Sequence, residues 1–315
     1  MIVRSLFIWI WASIVLGRVL PPVLVDLAKP EPGRIDESKV YEPNPPATNT
    51  VLIVLEYFDE DQKKLVEHEM TLELYGTVAP KTVRNFQSLA RGVKIHYDGE
   101  PEDEFHEVSY KDTLFHYIKP GSLIQGGDIL ENHIPFSIYG RQWPVESFDL
   151  KHDRPGRLCM ANNGPENQNS QFFITTGLEG EPDFNDKYVV FGQVVAGLEK
   201  LIQKIQYISL SGDGKPTNNI KIKHILVWDL ALIDNGAQHE AYLKRLEEFR
   251  RGNLKKGVTM GLTFAEGKEE EKQLDEVMFN ELHHPLTKVL IGIFVLLAVY
   301  FMVKNGRTMK SVRRV

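Results

Sequence analysis

Apolar and polar positions change period several times along the chain, and each change predicts an element. V-L-I-V-L-E-Y from Val51 is apolar and β-branched throughout, the pattern of a buried strand. Residues 59–67 are charged, a turn and strand edge, and M-T-L-E-L-Y from Met70 then alternates like the second strand of a hairpin. Pro80 opens K-T-V-R-N-F-Q-S-L-A-R-G, where Val83, Phe86, Leu89 and Ala90 share one helical face and Gly92 stops the helix. Short strands are predicted over 113–118, 157–161, 171–175, 188–195 and 220–229. Residues 198–206 read as a second helix, striped by Leu198, Leu201, Ile202 and Ile205. Many short strands with two helices predict a mainly β protein, a closed barrel capped by helices.

The flanks of this region divide the chain further. An apolar run over 6–16 follows Arg4, and Val15-Leu16-Gly17 has signal-peptidase spacing, so residues 1–17 are expected to be a signal peptide. An uncleaved anchor is the alternative, because Val19-Leu20 extend the run until Pro21-Pro22 stop it. Residues 18–47 are rich in proline and charge, an extended linker. The barrel domain is expected over 48–235. Residues 236–285 are mixed and acidic, expected as a charged stalk, with a short helix over 238–251 that carries Tyr242, Leu246 and Phe249 on one face. A docking helix for a partner is the other reading of residues 252–285.

Residues 286–303 are expected to cross a membrane. The stretch 289–303 holds no charge and spans about 22 Å as a helix, or about 27 Å with Leu286 to Lys288 added. That length suits a thin bilayer such as the endoplasmic reticulum's. A stretch apolar on all faces and followed by a basic tail is a poor core helix. The tail, 304–315, carries Lys304, Arg307, Lys310, Arg313 and Arg314 and no acid, so it should stay cytosolic and leave the barrel lumenal. No N-x-S/T sequon occurs in the chain.

Composition narrows the class without naming it. The 315 residues are 42% hydrophobic and 25% charged, which excludes a largely disordered or fibrous chain. The net charge of −6, with the basic tail set apart, leaves the rest acidic, so no nucleic-acid partner is expected. A lone cysteine, Cys159, excludes an internal disulfide and a cysteine-rich zinc site. In R-L-C-M-A it reads as a small buried residue, with nothing nearby to lower its pKa. His283-His284 read as a solvated flank, and no metal site is expected.

Three segments carry more than pattern. They are F-H-Y-I-K-P-G-S-L-I-Q-G-G-D from Phe115, M-A-N-N-G-P-E-N-Q-N-S-Q-F-F-I-T-T from Met160, and D-K-Y-V-V-F-G-Q-V from Asp186. In this order they resemble the signature blocks of the cyclophilins, and P-K-T-V-R-N-F from Pro80 resembles that family's first helix. The resemblance covers 51–230, and the flanks look like those of membrane-anchored cyclophilins of the secretory pathway, as in yeasts. It implies an eight-stranded antiparallel barrel capped by two helices, with an outer groove that binds X-Pro peptides and catalyses their cis–trans isomerisation. That chemistry is a bond rotation against a barrier of about 18–20 kcal/mol, so it needs no nucleophile or cofactor. It needs a dry pocket for the proline ring, anchors for the flanking backbone, and an arginine that donates to the proline nitrogen as it turns pyramidal.

Carried over position by position, the groove is partly intact. Gln125 fits the backbone-binding glutamine, Ala161 and Asn162 the backbone-anchoring pair, and Gln171 and Phe173 the glutamine and pocket phenylalanine of the second block. Leu123 stands where a methionine lines the proline pocket. Tyr117, however, holds the position of the catalytic arginine, Ser122 that of a pocket phenylalanine, and Tyr188 that of a histidine. Asp183 and Phe184 fall near the usual tryptophan–leucine pair, and H-I-P-F replaces a longer glycine-rich loop.

Losing a placed charged donor costs about 2–4 kcal/mol of transition-state stabilisation, or about 30- to 1,000-fold in rate. Losing the pocket ring at Ser122 costs about 1.5–3 kcal/mol of apolar contact. The sequence therefore predicts a lumenal, membrane-tethered isomerase of folding clients with weak or lost turnover. The alternative is a non-catalytic module that binds proline peptides or client proteins.

Overall fold

The strand-forming segments close on themselves. The computed structural model describes residues 33–96, 101, 104–130, 134–164, 167–230 and 234–269. In chain order the strands are β1 (Val40–Tyr41), β2 (Asn49–Asp59), β3 (Lys64–Leu74), β4 (Val93–Ile95), β5 (His106–Val108), β6 (Leu114–Lys119), β7 (Leu123–Gly126), β8 (Arg157–Asn162), β9 (Gln168–Thr175), β10 (Val189–Ala196), β11 (Ile220–Asp229) and β12 (Val258–Thr259). The helices are α1 (Pro80–Arg91), α2 (Leu198–Gln203) and α3 (Asn235–Arg250). Eight strands form a closed antiparallel barrel in the order β10-β3-β2-β11-β6-β7-β9-β8, which leaves no edge to pair with another chain.

The longest pairing, β2 with β3, runs in register from Asn49↔Leu74 to Asp59↔Lys64. Its charged turn is closed by Asp59, whose carboxylate accepts from the Asp61 and Gln62 amides and pairs with Lys204 at 2.8 Å. Inward-facing Val51, Ile53, Leu55, Leu72 and Leu74 are fully buried, and Phe86 of α1 meets Tyr110, Phe172 and Phe191 at ring-centre distances of 5.0–5.3 Å. Helix α1 begins at Pro80, and the free amides of Lys81 and Thr82 donate to the Glu146 carboxylate at 2.7 and 2.9 Å. The second predicted helix is shorter than its apolar stripe: α2 ends at Gln203, and Ile205–Tyr207 continue as one 3₁₀ turn.

The flanks differ from the expected linker and stalk. Within 33–48, β1 pairs with β12, and Arg250 of α3 grips the Glu42 carboxylate through two nitrogens at 2.8 and 3.1 Å. Helix α3 buries Tyr242 and Leu246 against Tyr75, Leu150, Cys159 and Val190 on the outside of the barrel. Residues 260–269 are helical, Met260 is fully buried in the main core, and Gly267 lies so close to the Val195 carbonyl that a Cβ there would sit 2.5 Å from it. The described part of the stalk is thus folded onto the barrel, because its few apolar residues face one way and find a matching apolar patch. Among the described residues no helix is long and apolar enough to cross a membrane. The predicted signal peptide, 1–17, and the predicted span, 286–303, lie outside the described residues.

Candidate peptide groove

Three neighbouring strands assemble the site. Tyr117 on β6 is paired with Gln125 on β7, and Gln125 with Phe173 on β9. Alternation then puts Phe115, Ile124, Phe172 and Ile174 into the core and leaves their neighbours to form the outer face. Gln125 donates from Nε2 to Gln171 Oε1 at 2.9 Å. Gln171 is fixed in turn, its Nε2 donating to Asp128 at 3.3 Å and its backbone amide to Asn169 at 2.8 Å. An open groove of about 1180 Å³ is lined by Tyr117, Gln125, Gln171, Asp128 and Asn163. The Tyr117 ring lies against Gly214, where φ is +81° and a Cβ would come within 2.7 Å of the ring. The loop is pinned there by Ile118, whose amide donates to the Gly214 carbonyl at 2.8 Å.

Beside the groove is an aromatic box. Phe173 meets Tyr188 at 5.2 Å and Phe184 at 5.7 Å, both edge-to-face, and Phe184 meets Tyr188 at 5.4 Å. Leu123 packs at its rim, and Ala161 is in the same cluster. Phe173 is only 2% exposed, whereas Leu123, Phe184 and Tyr188 are half-buried. Asn162 braces the rim, donating to the Lys187 carbonyl at 2.8 Å and accepting from the Gly164 amide at 3.1 Å. Of the positions read from the sequence, Ser122 stands apart: it is 5% exposed and faces Glu181, whose carboxyl is pushed up by burial and drawn back by Ser122 and Lys119. Asp183 is exposed and adds nothing to the box. Cys159 is buried and its thiol is pushed well above the ordinary range by burial.

No sequence signal marks His152, Asn185 or Gly214. His152 is fully buried in the stretch before β8 and stacks on Phe173, with planes 11° apart. Asn185 follows the 3₁₀ turn Pro182–Phe184 and accepts from His152. Both occur in polar loops where no periodicity points to a buried side chain. Among the described residues no group of three or more His, Cys, Asp or Glu is gathered as a metal would require.

The chain thus presents a closed eight-stranded antiparallel barrel with a hydrogen-bonded glutamine pair beside an aromatic box. The sequence matches the family model for cyclophilin type peptidyl-prolyl cis-trans isomerase/CLD over residues 61–227. It is 38% identical over 264 residues to peptidyl-prolyl cis-trans isomerase CPR4 of Saccharomyces cerevisiae, covering 83% of each chain. It is 31% identical over 310 residues to peptidyl-prolyl cis-trans isomerase CYP8 of the same yeast, covering 96% of this chain and 94% of that one. Peptidyl-prolyl cis-trans isomerase B of that yeast is 36% identical over 174 residues, 55% of this chain and 78% of its own. The chain belongs to the cyclophilin-type peptidyl-prolyl cis-trans isomerase family.

Proposed function

We propose that this protein is a membrane-anchored cyclophilin of the secretory pathway that binds proline-containing segments of folding clients and isomerises them slowly. The observation that carries the reading is the ordered pair Gln125–Gln171 at 2.9 Å, set between Tyr117 and the Phe173 box. A glutamine held by a second glutamine keeps its remaining donor and acceptor for a peptide backbone. Phe173 is too covered to take a proline ring deeply, so the ring would rest on Leu123, Phe184 and Tyr188. The isomerase step then needs a donor at the proline nitrogen. Tyr117 offers only a neutral hydroxyl on a ring confined by Gly214, and a neutral donor stabilises developing lone-pair charge less than a guanidinium does.

A chymotrypsin-coupled isomerisation assay on residues 33–269 tests this. Turnover of Ala-Pro peptides is expected at about 30- to 1,000-fold below an arginine-bearing cyclophilin's; equal turnover would sink the claim of weakened catalysis. The second reading, a binding module without turnover, is favoured by the same confined tyrosine, and binding without any measurable rate would support it. Anchoring through 286–303, with the barrel lumenal and the tail cytosolic, rests on the apolar run and its basic flank. Protease protection of a C-terminally tagged chain in microsomes checks it: the tag should be cleaved and the barrel spared.

A further inference from the structure

The groove is backed by a titratable side chain that touches nothing outside the protein. His152 is fully buried, its ring 6.4 Å from Phe173 and stacked at 11°, and 5.8 Å from Phe184 edge-on. Its backbone holds both ends of the turn that carries Phe184: the Glu181 amide donates to the His152 carbonyl at 2.7 Å, and the His152 amide donates to Asn185 Oδ1 at 2.9 Å. Nδ1 lies 3.1 Å from the same Oδ1. With that oxygen accepting from the backbone amide, Nδ1 is the donor and carries the ring proton. Nε2 is then a bare acceptor, buried without a hydrogen-bond partner among the described residues.

We propose that His152 is a positioning residue of the peptide groove: its neutral ring seats Phe173 and its bonds fix the 181–188 turn, and a proton on Nε2 releases both. The inference rests on the groove reading given above. A proton on Nε2 would place a donor and a charge in a site with no acceptor, the case in which burial costs most. The charges around the ring do not rescue it. Arg157 of β8 and Lys151 oppose the cation, Asp153 favours it but is already held by Arg154 and Arg157 at 2.8 and 3.0 Å, and β9 and the turn present Phe173, Phe184 and Asn185. Burial accordingly holds the imidazole down at about 4. The turn carries Phe184 and leads directly into Tyr188, two of the three rim residues, so its release removes the surface on which a proline ring rests.

Two readouts on residues 33–269 separate this inference from the groove reading. Amide NMR shifts of residues 181–188, followed from pH 7 to pH 3, should move together with the His152 ring resonances. In His152→Phe, which keeps a stacked ring but no titration, that common movement should vanish, leaving only what the nearby Glu181 carboxyl, pushed up by burial, contributes. In Asn185→Asp, a carboxylate at Nδ1 should carry the midpoint to higher pH. Affinity for a fluorescent Ala-Pro peptide should fall about twofold by pH 4, where about half the rings carry the proton, and about tenfold by pH 3 in the native chain, and stay flat in His152→Phe, with circular dichroism confirming that the barrel remains folded. Turn shifts that ignore pH, or that move equally in His152→Phe, overturn the positioning role. Turn shifts that follow His152 in a protein that binds no peptide at any pH uphold the positioning role and overturn the groove reading instead.

Discussion

Tyr117 is the residue on which the proposed loss of turnover rests. Its backbone pairs with Gln125 as the strand requires, and only the side chain departs from the family's arginine. Substituting Tyr117→Arg should raise isomerase turnover by about 30-fold or more, measured in the coupled assay, because it restores a charged donor. Ser122→Phe would not help in the same way: Ser122 is buried, and at neighbouring Gly177 a Cβ would already meet Glu181 Oε1 at 2.4 Å. Gly214→Val should do double harm, since a β-branched residue at φ +81° is strained and its Cβ would strike the Tyr117 ring. Loss of about 1–3 kcal/mol in a denaturant melt is expected, with a change in Tyr117 fluorescence. Two buried histidines set a pH window. His68 and His152 are both held down to about 4, chiefly by burial. Unfolding frees both to take up protons near their ordinary value of about 6.5, so their contribution to stability is full above that pH, falls as pH drops toward 4, and levels off below. Each ring should contribute about 3 kcal/mol to the fall, because a ring that binds its proton only on unfolding lowers stability by about 1.4 kcal/mol per pH unit across that window. Urea midpoints between pH 7 and 4 measure it, and replacing His68 with Gln should flatten part of the slope.

At the scale of elements, α3 decides how the C-terminal flank is understood. Its sequence carries only a thin apolar stripe, and its ends are set by Asp234, which accepts from the Ala237 amide at 2.9 Å, and by Arg251. Pattern alone makes it a solvated helix of a stalk. On the barrel, Tyr242 and Leu246 fall to 5% and 6% exposure because β8 and β10 present Cys159 and Val190 outward there. Burial pushes the Tyr242 phenol up to about 12. Leu246→Ala should therefore cost about 2–4 kcal/mol of domain stability, seen as a lowered urea midpoint. An unaffected midpoint would mean the helix is only loosely applied.

For the whole molecule, the folding unit extends beyond the barrel. The arm before β2 and the segment after β11 meet through β1–β12 and the Arg250–Glu42 pair, and the arm also rests on a buried knot in which Arg154 and Arg157 share Asp153. Arg154 also donates to the Glu42 carbonyl and lies 4.7 Å from the Tyr41 ring centre. Such a knot is costly to break by halves, since a buried guanidinium left without its partners loses several kcal/mol. A fragment of residues 48–235 should melt well below residues 33–269 by calorimetry, and equal melting temperatures would show the flanks to be dispensable. The barrel itself was legible in the residues: the β-branched runs, the face of α1 from Val83 to Ala90, and the blocks around Gln125, Gln171 and Phe173 are local patterns, and local patterns set strand, helix and facing. What the residues alone could not convey was partnership across distance. The stacking of His152 on Phe173 with Asn185 bonded to the imidazole, the confinement of Tyr117 by Gly214, and the docking of α3 each join segments with no shared period. They exist only because closing the barrel brings polar loops of ordinary sequence into a buried space, where each side chain must find a partner.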